Sequence, residues 1–127
     1  MRIRRTILSL IFLIAAAVGT FAQERTVVND RAAAAKLLGR HRLSLQWISW
    51  EYFGTATVTN KGGVYQLKGE QKGKGNSDLL RIDGTISVID AKSFIFRGTI
   101  TTRVSHINNG EQCERKGEMT FRITGNR

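Results

Sequence analysis

"SFIFRGTITTRVSHINNGEQCERKGEMTFRITG", residues 93–125, decides the fold class. Two segments of alternating apolar and polar residues flank an Asn-Asn-Gly. Phe94, Phe96, Ile100 and Val104 share one face of the first segment, and Met119, Phe121 and Ile123 share one face of the second. A period of two over this length reads as half-buried strands, and Asn-Gly between two such runs is a strong hairpin signal. With Asn109-Gly110 as a two-residue turn, His106 faces Cys113 and Val104 faces Arg115. Ile100 then faces Met119, and Phe96 faces Ile123. This register keeps the apolar sets on one face, as a sheet with one buried side requires.

The same texture continues outward to Leu43, with no proline anywhere to interrupt it. "LLRIDGTISVI" (79–89) alternates Leu80, Ile82, Ile86 and Val88, and "DAK" (90–92) turns. "FGTATVT" and "VYQLKGEQ" form a second hairpin through a loop at 60–63. That loop length pairs Thr59 with Val64, Val58 with Tyr65 and Ala56 with Leu67. "RLSLQWISW" (42–50) places Leu43, Leu45 and Trp47 on one face, then shifts to Ile48, Trp50 and Tyr52, which predicts a bulge or bend near Ser49. "FGTA", "DGTI" and "RGTI" each put a glycine at an inward position, where it lets a sheet coil tightly. Before the strands, "NDRAAAAKLLGR" (29–40) predicts one short helix over Ala32–Leu38, capped by Asn29 or Asp30 and stopped by Gly39. The expected class is all-β: an antiparallel meander of six to seven strands, curled or closed into a small barrel, with one short N-terminal helix.

"MRIRR" followed by "TILSLIFLIAAAVG" and "TFA" has the form of a signal peptide, cleaved between Ala22 and Gln23. The expected organisation is residues 1–22 as signal peptide, 23–41 as a polar lead and short helix, and 42–127 as the β domain. The product would be secreted or periplasmic, with no transmembrane segment after cleavage. Basic residues outnumber acidic ones 20 to 10, and only Arg2, Arg4 and Arg5 belong to the leader. Such an excess permits anionic partners without requiring them.

The single cysteine excludes an intramolecular disulfide. His106 and Cys113, opposed in the expected hairpin, could act as base and nucleophile or as two metal ligands. No orienting third group or further ligand has diagnostic spacing, and His41 is the only other imidazole. The pair is therefore read as structural, with no metal and no cofactor. P-loop, His-Glu-x-x-His, Cys-x-x-Cys and Gly-x-Ser-x-Gly motifs are absent from the sequence, so a non-enzymatic role is expected. Two binding surfaces remain. Trp47, Trp50, Tyr65, Phe94 and Phe96 could line a barrel interior that holds a small apolar or aromatic ligand. Arg97, Arg103, Lys116 and Arg122 fall on the outer side of the last hairpin. There Arg103 would face Lys116 and Arg97 would face Arg122, and opposed like charges invite an anionic polymer. The aromatic interleaving of a nucleic-acid groove is missing from that face, so no specific nucleic-acid recognition is expected.

"LLGRHRLSLQW" (37–47) resembles the opening of lipocalin-like (calycin) barrels, where Leu-x-Gly-x-Trp follows a short helix; His41 stands where that motif has its Trp. The C-terminal half resembles small secreted β-rich bacterial proteins with no assigned activity, which continue into a further strand and a second cysteine. This likeness implies a sheet without its closing strand and a Cys113 without its partner.

Overall fold

The computed structural model describes residues 24–124. The expected signal peptide lies outside them. In chain order the elements are β1 (Val27–Val28), α1 (Arg31–Leu37), β2 (Gly39–Leu43), β3 (Gly54–Lys61), β4 (Val64–Lys72), β5 (Leu79–Ile89), β6 (Ser93–Arg103) and β7 (Cys113–Arg122). β2 through β7 form an antiparallel meander in sequence order, and β1 adds a short parallel pairing to β5. The sheet does not close: β2 and β7 are its two edges.

Asp30 caps α1 by accepting a hydrogen bond from the Ala33 N–H at 2.8 Å. Gly39 takes φ +101°, a left-handed conformation that lets the chain leave the helix and enter β2 at once. Ala33 and Ala34 bury the helix against the concave face of the sheet, whose core is Ala56, Val58, Tyr65, Leu67, Ile82, Ile86, Ile89 and Phe96. Gly84 and Gly98 face each other across β5 and β6, with the Phe96 ring against both. A Cβ on Gly98 would lie 2.3 Å from the Asp83 carbonyl oxygen and 2.7 Å from Gly84 Cα, so the backbones approach there as only glycine allows. The inward-glycine expectation is met at these two positions.

Four details of register differ from the sequence reading. In the β3–β4 hairpin the turn is Gly62-Gly63, both with positive φ, so Lys61 pairs with Val64 and Val58 with Leu67. The slip is two residues, which preserves the faces. In β5 a bulge between Ile86 and Val88 reverses the alternation. Ile89 becomes fully buried, while Val88 turns to the other side and pairs with Val27 of β1. β4 reaches only as far as Ile86, so β1 takes over the free flank of β5 beyond it. Thr26 joins the three segments by donating its hydroxyl to the Ile86 carbonyl and accepting from the Tyr65 N–H.

The third difference is the segment 44–53. It is not a bulged strand but a turn-rich loop, with Ile48 N–H bonded to the Leu45 carbonyl. Gln71, 1% exposed, explains the departure from the sheet. Its side-chain oxygen accepts from the Leu45 N–H at 2.6 Å, and its amide donates to the Tyr52 carbonyl at 2.9 Å. One buried amide thus closes the base of the loop and stands in for a strand partner.

The fourth is the last hairpin. β6 stops at Arg103, and residues 104–112 form a connection instead of a two-residue turn. Val104 drops into the core, Asn108 and Asn109 both adopt left-handed conformations (φ 53° and 55°), and Thr102 pairs with Cys113. Asp78 drives this. It is 4% exposed and accepts from the Ser105 N–H at 2.8 Å and the Ser105 hydroxyl at 3.2 Å, holding the chain in a turn where the simple hairpin would keep it extended. The register moves by four residues, an even number, so the apolar faces survive.

Candidate functional site

The open edges give the concave face a mouth. Leu37 of α1, His41 and Leu43 of β2, Ala56 and Val58 of β3, Leu67 of β4 and Ile82 of β5 line one side of a trough. Phe94 of β6 and Phe121 of β7 line the other. The trough holds about 220 Å³ and is almost wholly apolar. Three of its residues, Leu37, His41 and Phe94, also border a recess of about 500 Å³ between α1 and the β5–β6 turn, which adds Asp30, Lys36, Asp90 and Ile123.

Residue size explains the trough. Ala56 opposes Gly69 across β3 and β4, so the sheet has little side-chain bulk there. Phe94 and Phe121 stack in parallel, 5.1 Å between ring centres, and Phe96 meets Phe121 edge-on at 6.0 Å. Those contacts hold the aromatic wall upright and keep it from collapsing onto Ala56. His41 supplies the trough's one imidazole. Its Nε2 lies 2.6 Å from the Leu37 carbonyl oxygen, so Nε2 carries the proton, and in the neutral ring Nδ1 is left as an acceptor.

Of the five residues expected to line a ligand-holding interior, Phe94 alone borders the trough. Tyr65 and Phe96 are buried in the packed core, and Trp47 and Trp50 are exposed on the 44–53 loop. The remaining trough residues were identified from the sequence only as inward-facing strand positions. The helix contribution, Leu37, and the β2 imidazole, His41, carried no signal beyond their place near the Leu-x-Gly-x pattern. His106 and Cys113 are not opposed: His106 lies in the 104–112 connection, and Cys113 is exposed opposite Thr102. Among the described residues no three His, Cys, Asp or Glu side chains come together as a metal-ligand group.

A family model for the PM1083 family matches residues 25–127. The chain belongs to that family. It is 46% identical over 92 residues to "Uncharacterized protein PM1083" of Pasteurella multocida (strain Pm70), an alignment covering 72% of this chain and 59% of that relative. The chain therefore spans less than two thirds of the length of the curated relative it matches. No solved structure matches it.

On the outer face of this PM1083-family chain neither expected like-charge pair forms, and two of the four cations have carboxylate neighbours. Arg97 opposes Glu118 and donates to its carboxylate at 2.9 Å; Lys116 opposes Thr99 and lies 3.7 Å from Glu114. Arg122 opposes Ser93, and Arg103 opposes Leu79 of β5 with its Nε buried. The four-residue shift of the hairpin is the cause, because it exchanges every expected partner. Further along the same face, Glu70 bridges Lys72 (3.3 Å) and Arg81 (2.9 Å). The Arg81 guanidinium holds the Glu70 carboxyl below its ordinary range, and Lys72 adds to the effect. No helix among the described residues is long and apolar enough to cross a membrane.

Proposed function

We propose that this protein is a non-enzymatic binding domain that holds a small apolar or aromatic ligand in the trough of its half-open sheet. The observation carrying the reading is an apolar cavity of about 220 Å³, opening beside α1 and walled by stacked Phe94 and Phe121. Pockets that are mainly apolar with a few convergent polar groups are the usual form of small-molecule sites. His41 is such a group, able to accept from a hydroxyl or amine of the ligand. The exported location is part of the proposal and rests on the leader-like residues 1–22. So is the calycin-like comparison, for which the helix leading directly into the β2 edge is the supporting likeness.

Native mass spectrometry of protein taken from the producing cell tests the reading. The expected spectrum contains a species heavier than the polypeptide by one small molecule, lost on gentle activation. Val58→Phe, which fills the trough floor, should abolish that species in a folded protein. An adduct that persists in Val58→Phe, or apolar compounds that fail to bind the parent at all, would refute the proposal.

A second reading, binding of an anionic polymer by the outer face, keeps support from the excess of basic over acidic residues. It stands second because Arg97 and Lys116 already have carboxylate neighbours. Retention on heparin that falls steeply with salt, and is lost when Arg97, Arg103, Lys116 and Arg122 are all reversed in charge, is its expected signature.

A further inference from the structure

The loop between β2 and β3 carries both tryptophans of the chain and buries neither. Trp50 is 74% exposed and Trp47 53%, and Tyr52 and Phe53 beside them are exposed as well. Rings left in water forgo the stabilisation that burial gives, Trp50 most of all. Hydrogen bonds hold the backbone of the loop in this presentation. Gln71 clamps its two ends, and the Ser49 hydroxyl accepts from the N–H groups of Glu51 at 3.0 Å and Tyr52 at 2.9 Å.

Cations stand among the rings. The Arg42 guanidinium lies 4.5 Å from the centre of the Phe53 ring. The Lys74 ammonium lies 4.7 Å from the centre of the Tyr52 ring and donates to its hydroxyl at 3.0 Å. Lys72, at the end of β4, is paired with Glu70, and Glu51 is the loop's one carboxylate. In an antiparallel meander the connections 44–53, 73–78 and 104–112 all lie at the same end of the sheet. The third adds exposed Ile107 to that rim. One end of the molecule therefore presents exposed aromatic side chains, two of them with the Arg42 and Lys74 cations against their rings, beside the exposed carboxylates Glu51 and Glu111.

Tryptophan and tyrosine concentrate at the depth of lipid headgroups, where an apolar ring and a polar edge are both satisfied. Lysine and arginine at the same level are drawn to anionic lipids. We propose that this end of the sheet docks on a phospholipid surface bearing anionic headgroups, with Trp47 and Trp50 at headgroup depth and Arg42 and Lys74 facing the phosphates. The Arg42 and Lys74 cations set against the rings favour this occupant over a neutral sugar. Arg42 and Lys74 already cover one face of Phe53 and of Tyr52, which a stacking sugar would need.

The test uses the full chain, and tryptophan emission reports on this loop alone because both tryptophans lie in it. Vesicles of phosphatidylcholine containing phosphatidylglycerol should shift the emission to shorter wavelength, and brominated acyl chains should quench it. Vesicles of phosphatidylcholine alone should do so weakly, and added salt should reverse the effect. Trp50→Ala should weaken the loop's association on the order of tenfold, read from the quenching of Trp47. Arg42→Glu with Lys74→Glu should remove the preference for phosphatidylglycerol. No spectral shift on anionic vesicles would overturn the proposal. So would equal association of the Trp50→Ala variant, or a shift produced by soluble oligosaccharides and not by vesicles.

Discussion

Gln71 shows how one side chain can replace a strand. Its amide satisfies Leu45 N–H and Tyr52 C=O inside the protein, where neither has another partner of comparable geometry. Gln71→Ala should cost about 1–3 kcal/mol, the range for buried backbone groups left unpaired, and urea unfolding measures it. The same variant should broaden the tryptophan emission, since the loop base is released; an unchanged midpoint would mean that the clamp is not structural. Glu70 sets a smaller, pH-dependent term. Its lowered pKa means that the folded state favours the carboxylate, so the contribution exists above the ordinary glutamate range and is lost as pH falls through the folded-state value. Because the pair is exposed, Glu70→Gln should cost only about 0.2–1 kcal/mol at neutral pH. Parent and variant should converge in acid, as paired thermal melts would record. At this scale the sequence was legible where a residue acts on its immediate neighbours, as with the Asp30 cap and Gly39. It was illegible for Gln71, whose partners lie 19 and 26 residues away, and for Asp78, whose partner lies 27 away.

The strands were legible as elements because period-two alternation survives an even slip. The β3–β4 hairpin moved by two residues and the β6–β7 hairpin by four, and both kept Val58, Leu67, Phe96 and Met119 on the inner face. Odd events are what the alternation cannot absorb. The bulge after Ile86 is one, and it exchanged Val88 for Ile89 in the core. The β6–β7 register also displaced the expected site residues, since His106 and Cys113 lost each other and Arg97 gained Glu118. Cysteine chemistry tests it. Thr102→Cys should oxidise to an intramolecular bridge with Cys113, whereas His106→Cys should give only intermolecular dimers, as non-reducing gels and intact mass would show. The reverse result would restore the two-residue turn. The glycine crossing makes a second prediction at this scale. Gly98→Ala forces a Cβ against the Asp83 carbonyl and the Phe96 ring, and should lower stability by about 1–3 kcal/mol in chemical denaturation.

At the scale of the whole molecule, the open sheet makes the trough accessible. A closed barrel this small would fill with its own side chains. Here β2 and β7 stand apart, α1 covers only part of the gap, and Ala56 opposite Gly69 leaves the floor hollow. Composition and alternation could announce a half-buried sheet, but not how far it curls, because bulges such as the one in β5 and close glycine approaches such as Gly84–Gly98 bend a sheet without breaking its pattern of types. For that reason the class of fold was readable and the lining of the cavity was not. The most direct test titrates an uncharged fluorescent naphthylamine into the parent and into Ala56→Phe, whose ring occupies the trough. Saturable binding at one probe per chain, lost in an Ala56→Phe protein that retains its β-sheet circular dichroism, is the predicted result. Equal binding by the two proteins, or none by the parent, would contradict the account.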